Sequence, residues 1–147
     1  MILRLLFAGL IMSLFATEAI AFEFHGIKSG MSETEFSSAL EHLGGRYSNG
    51  SVDLNEDGLT GVHYSPTILT PSFDHNGKLY QLKLIYLPIS MDEIRIGPFV
   101  KAFAKKYDVE VVEKKLSGSL VLEAVFMDKA LANALFQHAT QEYLDKI

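Results

Sequence analysis

Three oxygen-bearing side chains, Asp53, Asn55 and Asp57, alternate ahead of Gly58 in the stretch VDLNEDGLTG. The order D-x-N-x-D-G opens an EF-hand loop, in which oxygens at positions 1, 3, 5, 7, 9 and 12 surround calcium and the twelfth is a bidentate glutamate. Counted from Asp53, position 9 is Gly61 and position 12 is Tyr64, so the loop lacks its closing ligand. The residues after Gly58 also read as strand, not helix. Polar turns use the same residue types, and a turn is the expectation. Calcium held weakly by Asp53, Asn55 and Asp57 is the alternative; otherwise neither a metal nor a cofactor is expected.

Other chemistry is sparse. His25, His42, His63, His75 and His138 form no H-x-H or H-x-x-x-H pair. His63 and His75 could meet across adjacent strands, where zinc would need a third ligand. Cysteine is absent, as are G-x-S-x-G and a glycine-rich phosphate loop. The carboxylates are scattered, and no spacing marks an acid–base pair. No catalytic or cofactor-binding residue is nominated, and whether the protein is an enzyme stays open with the balance against it. Tyr80 and Tyr86, among leucines, read as core in preference to a ligand groove.

The elements that would position these groups have clear punctuation. Ser32 and Glu35 form an S-x-x-E capping box. Phe36, Ala39, Leu40 and Leu43 follow at helical spacing, and Gly44-Gly45 closes a helix over about residues 33–43. FEFHGIKSGM ahead of it reads as an extended lead-in. Residues 59–64 and 67–73 read as short strands. The stretch DHNG (74–77) is a tight turn with Gly77 suited to positive φ. In LYQLKLIYL (79–87), Tyr80, Leu82, Leu84 and Tyr86 should share one face, with Gln81 and Lys83 on the other. A second capping box, Ser90 and Glu93, starts a helical region that Gly97-Pro98 should interrupt. Phe99, Val100, Phe103 and Tyr107 then form an apolar stripe, with Lys101, Lys105 and Lys106 outside it. VEVVEKKL, the turn Ser117-Gly118 and SLVLEAVFM form a hairpin whose Leu120, Leu122, Ala124 and Phe126 face the core and whose Glu123 faces water. Asp128 caps a last helix, 129–145, with Leu131, Leu135, Ala139 and Tyr143 near one stripe. Strands joined by tight turns imply an α+β fold: an antiparallel sheet with helices packed on one face, a two-layer sandwich.

Residues 1–21 have the parts of a secretory signal peptide. Arg4 is the positive n-region, Leu5 to Phe15 an apolar run broken only by Ser13, and Ala19-Ile20-Ala21 a small-x-small cleavage site. The run falls short of the roughly 20 apolar residues that span a bilayer. Cleavage would leave residues 22–147 as a single α+β domain beginning at Phe22, with no transmembrane segment after it. The signal inflates the apolar fraction of 48%, which is therefore no sign of a membrane protein. The net charge of −5 argues against nucleic acid, which demands a basic patch. With no disulfide available, stability must come from packing. A periplasmic or secreted location follows.

The run FHGIKSGMSETEFSSALEHLG, through Gly30, Met31, Ser32, Glu35 and Phe36, resembles the helix-opening signature of small bacterial envelope domains. These include the lipoproteins of the outer-membrane β-barrel assembly machinery and the secreted β-lactamase-inhibitor protein. FDHNGKLYQLKL is similar to the D-x-x-G-K-L hairpin of that group. The resemblance covers about a third of the mature chain and implies a helix-plus-sheet module that binds other proteins. The chain departs from the pattern in lacking a lipidation cysteine and disulfides. The function expected is a non-enzymatic protein-binding or adaptor module of the bacterial envelope, its partner a protein. The alternatives are a small-ligand or lipid-binding envelope protein, with a cavity between sheet and helices, and a hydrolase whose cleft would set His63 or His75 beside a carboxylate.

Overall fold

The computed structural model describes residues 19–87 and 93–147, without the side chains at 93 and 94. The n-region and apolar run of the expected signal, and Ser90 of the second capping box, lie outside the described residues.

The chain begins with a hairpin of β1 (Glu23–Phe24) and β2 (Ile27–Lys28), followed by α1 (Glu33–His42). Both hydrogen bonds of the Ser32–Glu35 capping box form, at 3.1 Å each. The buried side of α1 carries Phe36 and Leu40. Next comes a hairpin absent from the sequence reading, β3 (Arg46–Ser48) and β4 (Ser51–Asp53). Its turn is Asn49-Gly50, both at positive φ, the pairing that two-residue hairpins of the I′ type require. The strands are too short to show alternation, so the Asn-Gly pair is their one local signal in the sequence. Tyr47 packs edge-on against Phe36, ring centroids 5.2 Å apart.

Residues 59–64, expected as a strand, form a loop instead. Its backbone is satisfied locally: Leu59 N donates to Ser65 Oγ (2.8 Å) and Val62 N to Leu59 O. Leu59 itself is buried in the core.

The main sheet has the order β5–β6–β8–β7, all antiparallel: β5 (Ile68–Phe73), β6 (Leu79–Tyr86), β7 (Val111–Leu116) and β8 (Ser119–Met127). The β5–β6 turn forms as expected. Asp74 Oδ1 accepts from the backbone N–H groups of Asn76 and Lys78, and Gly77 has φ +74°. A register shift at Ser72/Phe73 changes one expectation. Leu79, not Tyr80, is fully buried, because the extra residue at the bulge turns the strand by one position. Beyond it Leu82, Leu84 and Tyr86 face Phe126, Ala124 and Leu122 across the β6–β8 ladder. These side chains form the floor of the core, with Leu120 half-buried beside them.

Between β6 and β7 runs α2 (Glu93–Tyr107), one continuous helix with Pro98 inside it. The expected break at Gly97-Pro98 does not occur. A proline there removes one backbone hydrogen bond and crowds the preceding turn, but Ile96 before it and Phe103 after it are both buried in the same core, and that packing holds the two halves in line. α1 and α2 therefore both feed the core cluster.

The last helix, α3 (Lys129–Lys146), differs. Asp128 caps it, accepting from Leu131 N at 3.2 Å, and Asp128 N donates to Tyr80 O. Yet none of its residues is buried. Leu131, Leu135 and Ala139 are half-buried, whereas Tyr143, expected in the same stripe, is 71% exposed. The fold is α+β with antiparallel sheets, and α3 adds nothing to the core.

Candidate functional site

The stripe on α2 does more than fill the core. Arg95, Phe99, Ala102, Phe103 and Lys106 recur at helical spacing along one wall of a partly open cavity of about 720 Å³, within the range of small-molecule sites. Arg95 and Lys106 stand eleven positions apart, about 16 Å at ~1.5 Å per residue. Tyr86 of β6 closes the floor, the 61–64 loop brings His63 and Tyr64 to one side, and Phe24 and His25 come from the first hairpin.

The walls are an aromatic mesh. Tyr86 meets Phe99 at 5.2 Å and Phe103 at 5.9 Å between ring centroids; Tyr64 meets Phe99 at 5.2 Å. Phe103 and Tyr107 lie 4.7 Å apart. Such tilted and edge-on contacts are the preferred aromatic geometries, and they leave ring faces and edges open to the cavity. The hydroxyl of Tyr86 is buried and finds no hydrogen-bond partner among the described residues. Burial, with a smaller contribution from Tyr107, pushes its ionisation well above the ordinary tyrosine value, so it stays protonated as a donor.

Charge is distributed unevenly. Although the whole chain carries −5, no Asp or Glu is among the described residues lining this cavity, which bears Arg95, Lys106, His25 and His63. Lys106 Nζ sits 5.3 Å from the centre of the Tyr107 ring, a cation–π distance. The Tyr107 hydroxyl is 3.2 Å from His25 Nε2. His25 is held over the mouth by the β1–β2 turn, in which it adopts φ +47°. Desolvation, and then the positive charge of Lys106, lower its pKa below the usual histidine value, so the imidazole is neutral at pH 7. Lys106, expected outside the stripe, is part of this site. The signal was present in the sequence, because 99, 103 and 106 fall on one side of a helix.

A second, more polar cavity of about 500 Å³ shares His63, Tyr64 and Tyr86 with the first. Part of the D-x-N-x-D-G stretch borders it. Asn55 and Asp57 line this cavity, while Asp53 ends β4 opposite Arg46. The Asn55 side-chain amide donates to Gly44 O at 2.9 Å, and its backbone carbonyl accepts from Gly58 N. Asp53 is not among the residues lining this cavity, and among the described residues no group of three or more His, Cys, Asp or Glu is placed to hold a metal.

Gly58 has a different role from that of the EF-hand glycine. It adopts φ +75°, and a Cβ there would collide with Ser65 Oγ. Ser65, His63 and Asp57 border one cavity, yet Ser65 Oγ accepts from Leu59 N and donates to Pro66 O, with no bond to His63. That is a structural serine, not an activated one. His63 and His75 do not meet. His63 lies against Tyr64, and His75 stacks on His138 of α3 with centroids 4.1 Å apart and planes at 7°.

No family model, no curated protein and no solved structure matches the chain. Among the described residues no helix is long and apolar enough to cross a membrane.

Proposed function

We propose that the protein is a non-enzymatic binding module of the bacterial envelope, periplasmic or secreted, that takes an apolar small ligand into the cavity between α2 and the main sheet. The observation that carries this reading is the cavity itself. Six aromatic rings, those of Phe24, Tyr64, Tyr86, Phe99, Phe103 and Tyr107, line about 720 Å³ that the described side chains leave unfilled. A concave, mostly apolar site of that size with a few polar groups is what small-ligand sites have in common. The signal-like N-terminus supports the location, and the absence of an activated nucleophile among the described residues favours binding over catalysis.

A neutral, environment-sensitive dye such as Nile red tests the reading. Saturable one-to-one binding is expected, and Ala102→Trp, which fills the cavity from the exposed side of α2, should abolish it while leaving the circular dichroism spectrum unchanged. Wild-type affinity in Ala102→Trp would refute the assignment.

One observation favours the other expectation, a protein-binding adaptor. α3 exposes Phe136 (72%), Tyr143 and Leu144 (60%) with no partner among the described residues, and the likeness of the Gly30–Phe36 run to envelope domains points the same way. A photo-crosslinking side chain at Phe136 or Tyr143 in the exported protein should give one discrete adduct that is absent when the same group is placed at Lys101. Equal labelling at all three positions would count against it.

A further inference from the structure

The cavity's two kinds of lining narrow its ligand. We propose, resting on the binding reading above, that the occupant is a long-chain monocarboxylic acid, its tail along the α2 stripe and its carboxylate at the Lys106–Tyr107–His25 corner. The tail follows from the aromatic walls and from the length of the stripe, about 16 Å between the levels of Arg95 and Lys106 at ~1.5 Å per residue. The head follows from charge. On a chain of net −5 the described lining residues include no carboxylate, so an anion entering there meets no like charge among them.

At the chosen corner Lys106 carries the full positive charge. It makes no salt bridge with any described residue, and it rests over the Tyr107 ring. His25 beside it is neutral at pH 7 because burial and that same ammonium disfavour its protonation. Lys106 is the cation at this corner, which suits a monoanionic head, and Arg95 stands at the other end of the stripe. With His25 in its Nε2–H tautomer the ring donates to the Tyr107 oxygen at 3.2 Å, which leaves the hydroxyl hydrogen as a second donor for a carboxylate oxygen. A carboxylate receiving an ammonium and a hydroxyl makes charge-assisted hydrogen bonds, which are roughly twice as strong as neutral ones. A neutral alcohol of the same chain length gains only the burial of its tail. A quaternary ammonium head would face Lys106 as a like charge.

Isothermal titration with dodecanoate, dodecanol and dodecyltrimethylammonium, each below its micellar concentration at low ionic strength, tests the assignment. Dodecanoate is expected to bind about tenfold or more tighter than dodecanol, as removal of a charged hydrogen-bond partner implies, and the ammonium amphiphile weakest. Lys106→Met should bring dodecanoate to within about twofold of dodecanol, whereas Lys105→Met, one position away and outside the lining, should change nothing. Rising salt should narrow the gap, since the corner is open to solvent. Equal affinity for acid and alcohol, or a preference that survives Lys106→Met, overturns the head-group assignment and leaves the cavity reading standing if Nile red still binds. Failure of all three amphiphiles and of the dye removes both. Co-sedimentation with phosphatidylglycerol vesicles in the absence of free acid would reassign the basic corner to a lipid surface and also overturns the proposal.

Discussion

The hydroxyl of Tyr86 is the residue-scale anomaly of this protein. A buried polar atom without a partner costs about 1–3 kcal/mol, and here the burial is required because the ring is a wall of the core. Tyr86→Phe keeps the ring and removes the orphan. It is expected to raise the denaturation midpoint, by up to about 1–3 kcal/mol in unfolding free energy; a clear loss of stability would show that the hydroxyl has a partner in solution. On the opposite face of the sheet Glu123 lies between Lys114 (3.1 Å) and Lys83 (3.6 Å), a triad across β7, β8 and β6. Desolvation of Glu123 works to raise its pKa, but the hydrogen bond from Lys114 and the charges of both lysines outweigh it, and the net shift is downward from 4.5. A carboxylate with a depressed folded pKa contributes stability above about 4.5 that is lost as pH falls through its folded value. The lysines are about 37% and 48% exposed, so the contribution is small, about 0.2–1 kcal/mol. Glu123→Gln should flatten the pH dependence of the melting temperature below about pH 4.5 and matter little in high salt.

At the scale of elements, the loop between β4 and β5 depends on one close approach. Gly58 combines φ +75° with a site where a Cβ would collide with Ser65. Gly58→Ala is expected to destabilise the protein by more than the about 1 kcal/mol that a left-handed alanine costs, because Ser65 would have to release Leu59 N. Thermal unfolding measures this, and an unchanged midpoint would mean that the loop can be rebuilt without the Ser65 bond. α3 makes the contrary case. A helix with no buried residue contributes little to global stability beyond its cap and its contacts near β6. Phe136→Ser with Tyr143→Ser should therefore shift the unfolding midpoint by no more than about 0.5 kcal/mol, the ordinary range for surface changes. A larger loss would place those side chains against a partner already present in the sample, and sedimentation would then reveal the assembly.

At the scale of the whole molecule, the described chain enters the core at the residue that follows the expected cleavage site. Ala19, Ile20 and Ala21 are exposed, and among the described residues Phe22 is the first buried one, its ring 5.6 Å from Phe126. The backbone N–H groups of Ala21 and Phe22 both donate to Ser29 Oγ. Cleavage after Ala21 would free the exposed residues and leave Phe22 in place, its new amine still able to donate to Ser29. N-terminal sequencing of the exported protein is expected to start at Phe22, whereas an intact Met1 in the membrane fraction would show an uncleaved anchor.

The features that depend on three or four neighbouring residues were legible in the chain: the Ser32–Glu35 box, the Asp128 cap, the Asp74–Gly77 turn and the Ser117-Gly118 turn, the last two with Gly77 and Gly118 at the positive φ that glycine favours. The alternation of β6 and β8, and from it an antiparallel α+β fold, followed from side chains two positions apart. The turn in the D-x-N-x-D-G stretch was legible from its residue types, and it forms with Gly58 N donating to Asn55 O. The remaining features turn on which surfaces meet. Pro98 stays helical because Ile96 and Phe103 are held by a sheet far away in sequence. His75 pairs with His138 and not His63 because α3 comes to lie beside the β5–β6 turn. Lys106 lines a cavity, and no carboxylate stands near it among the described lining residues, because α2, the first hairpin and the 61–64 loop converge there from three parts of the chain. Local propensity acts over a turn of helix or a pair of strands, whereas a cavity is the space left between elements, and only their tertiary packing decides where that space lies and which charges border it.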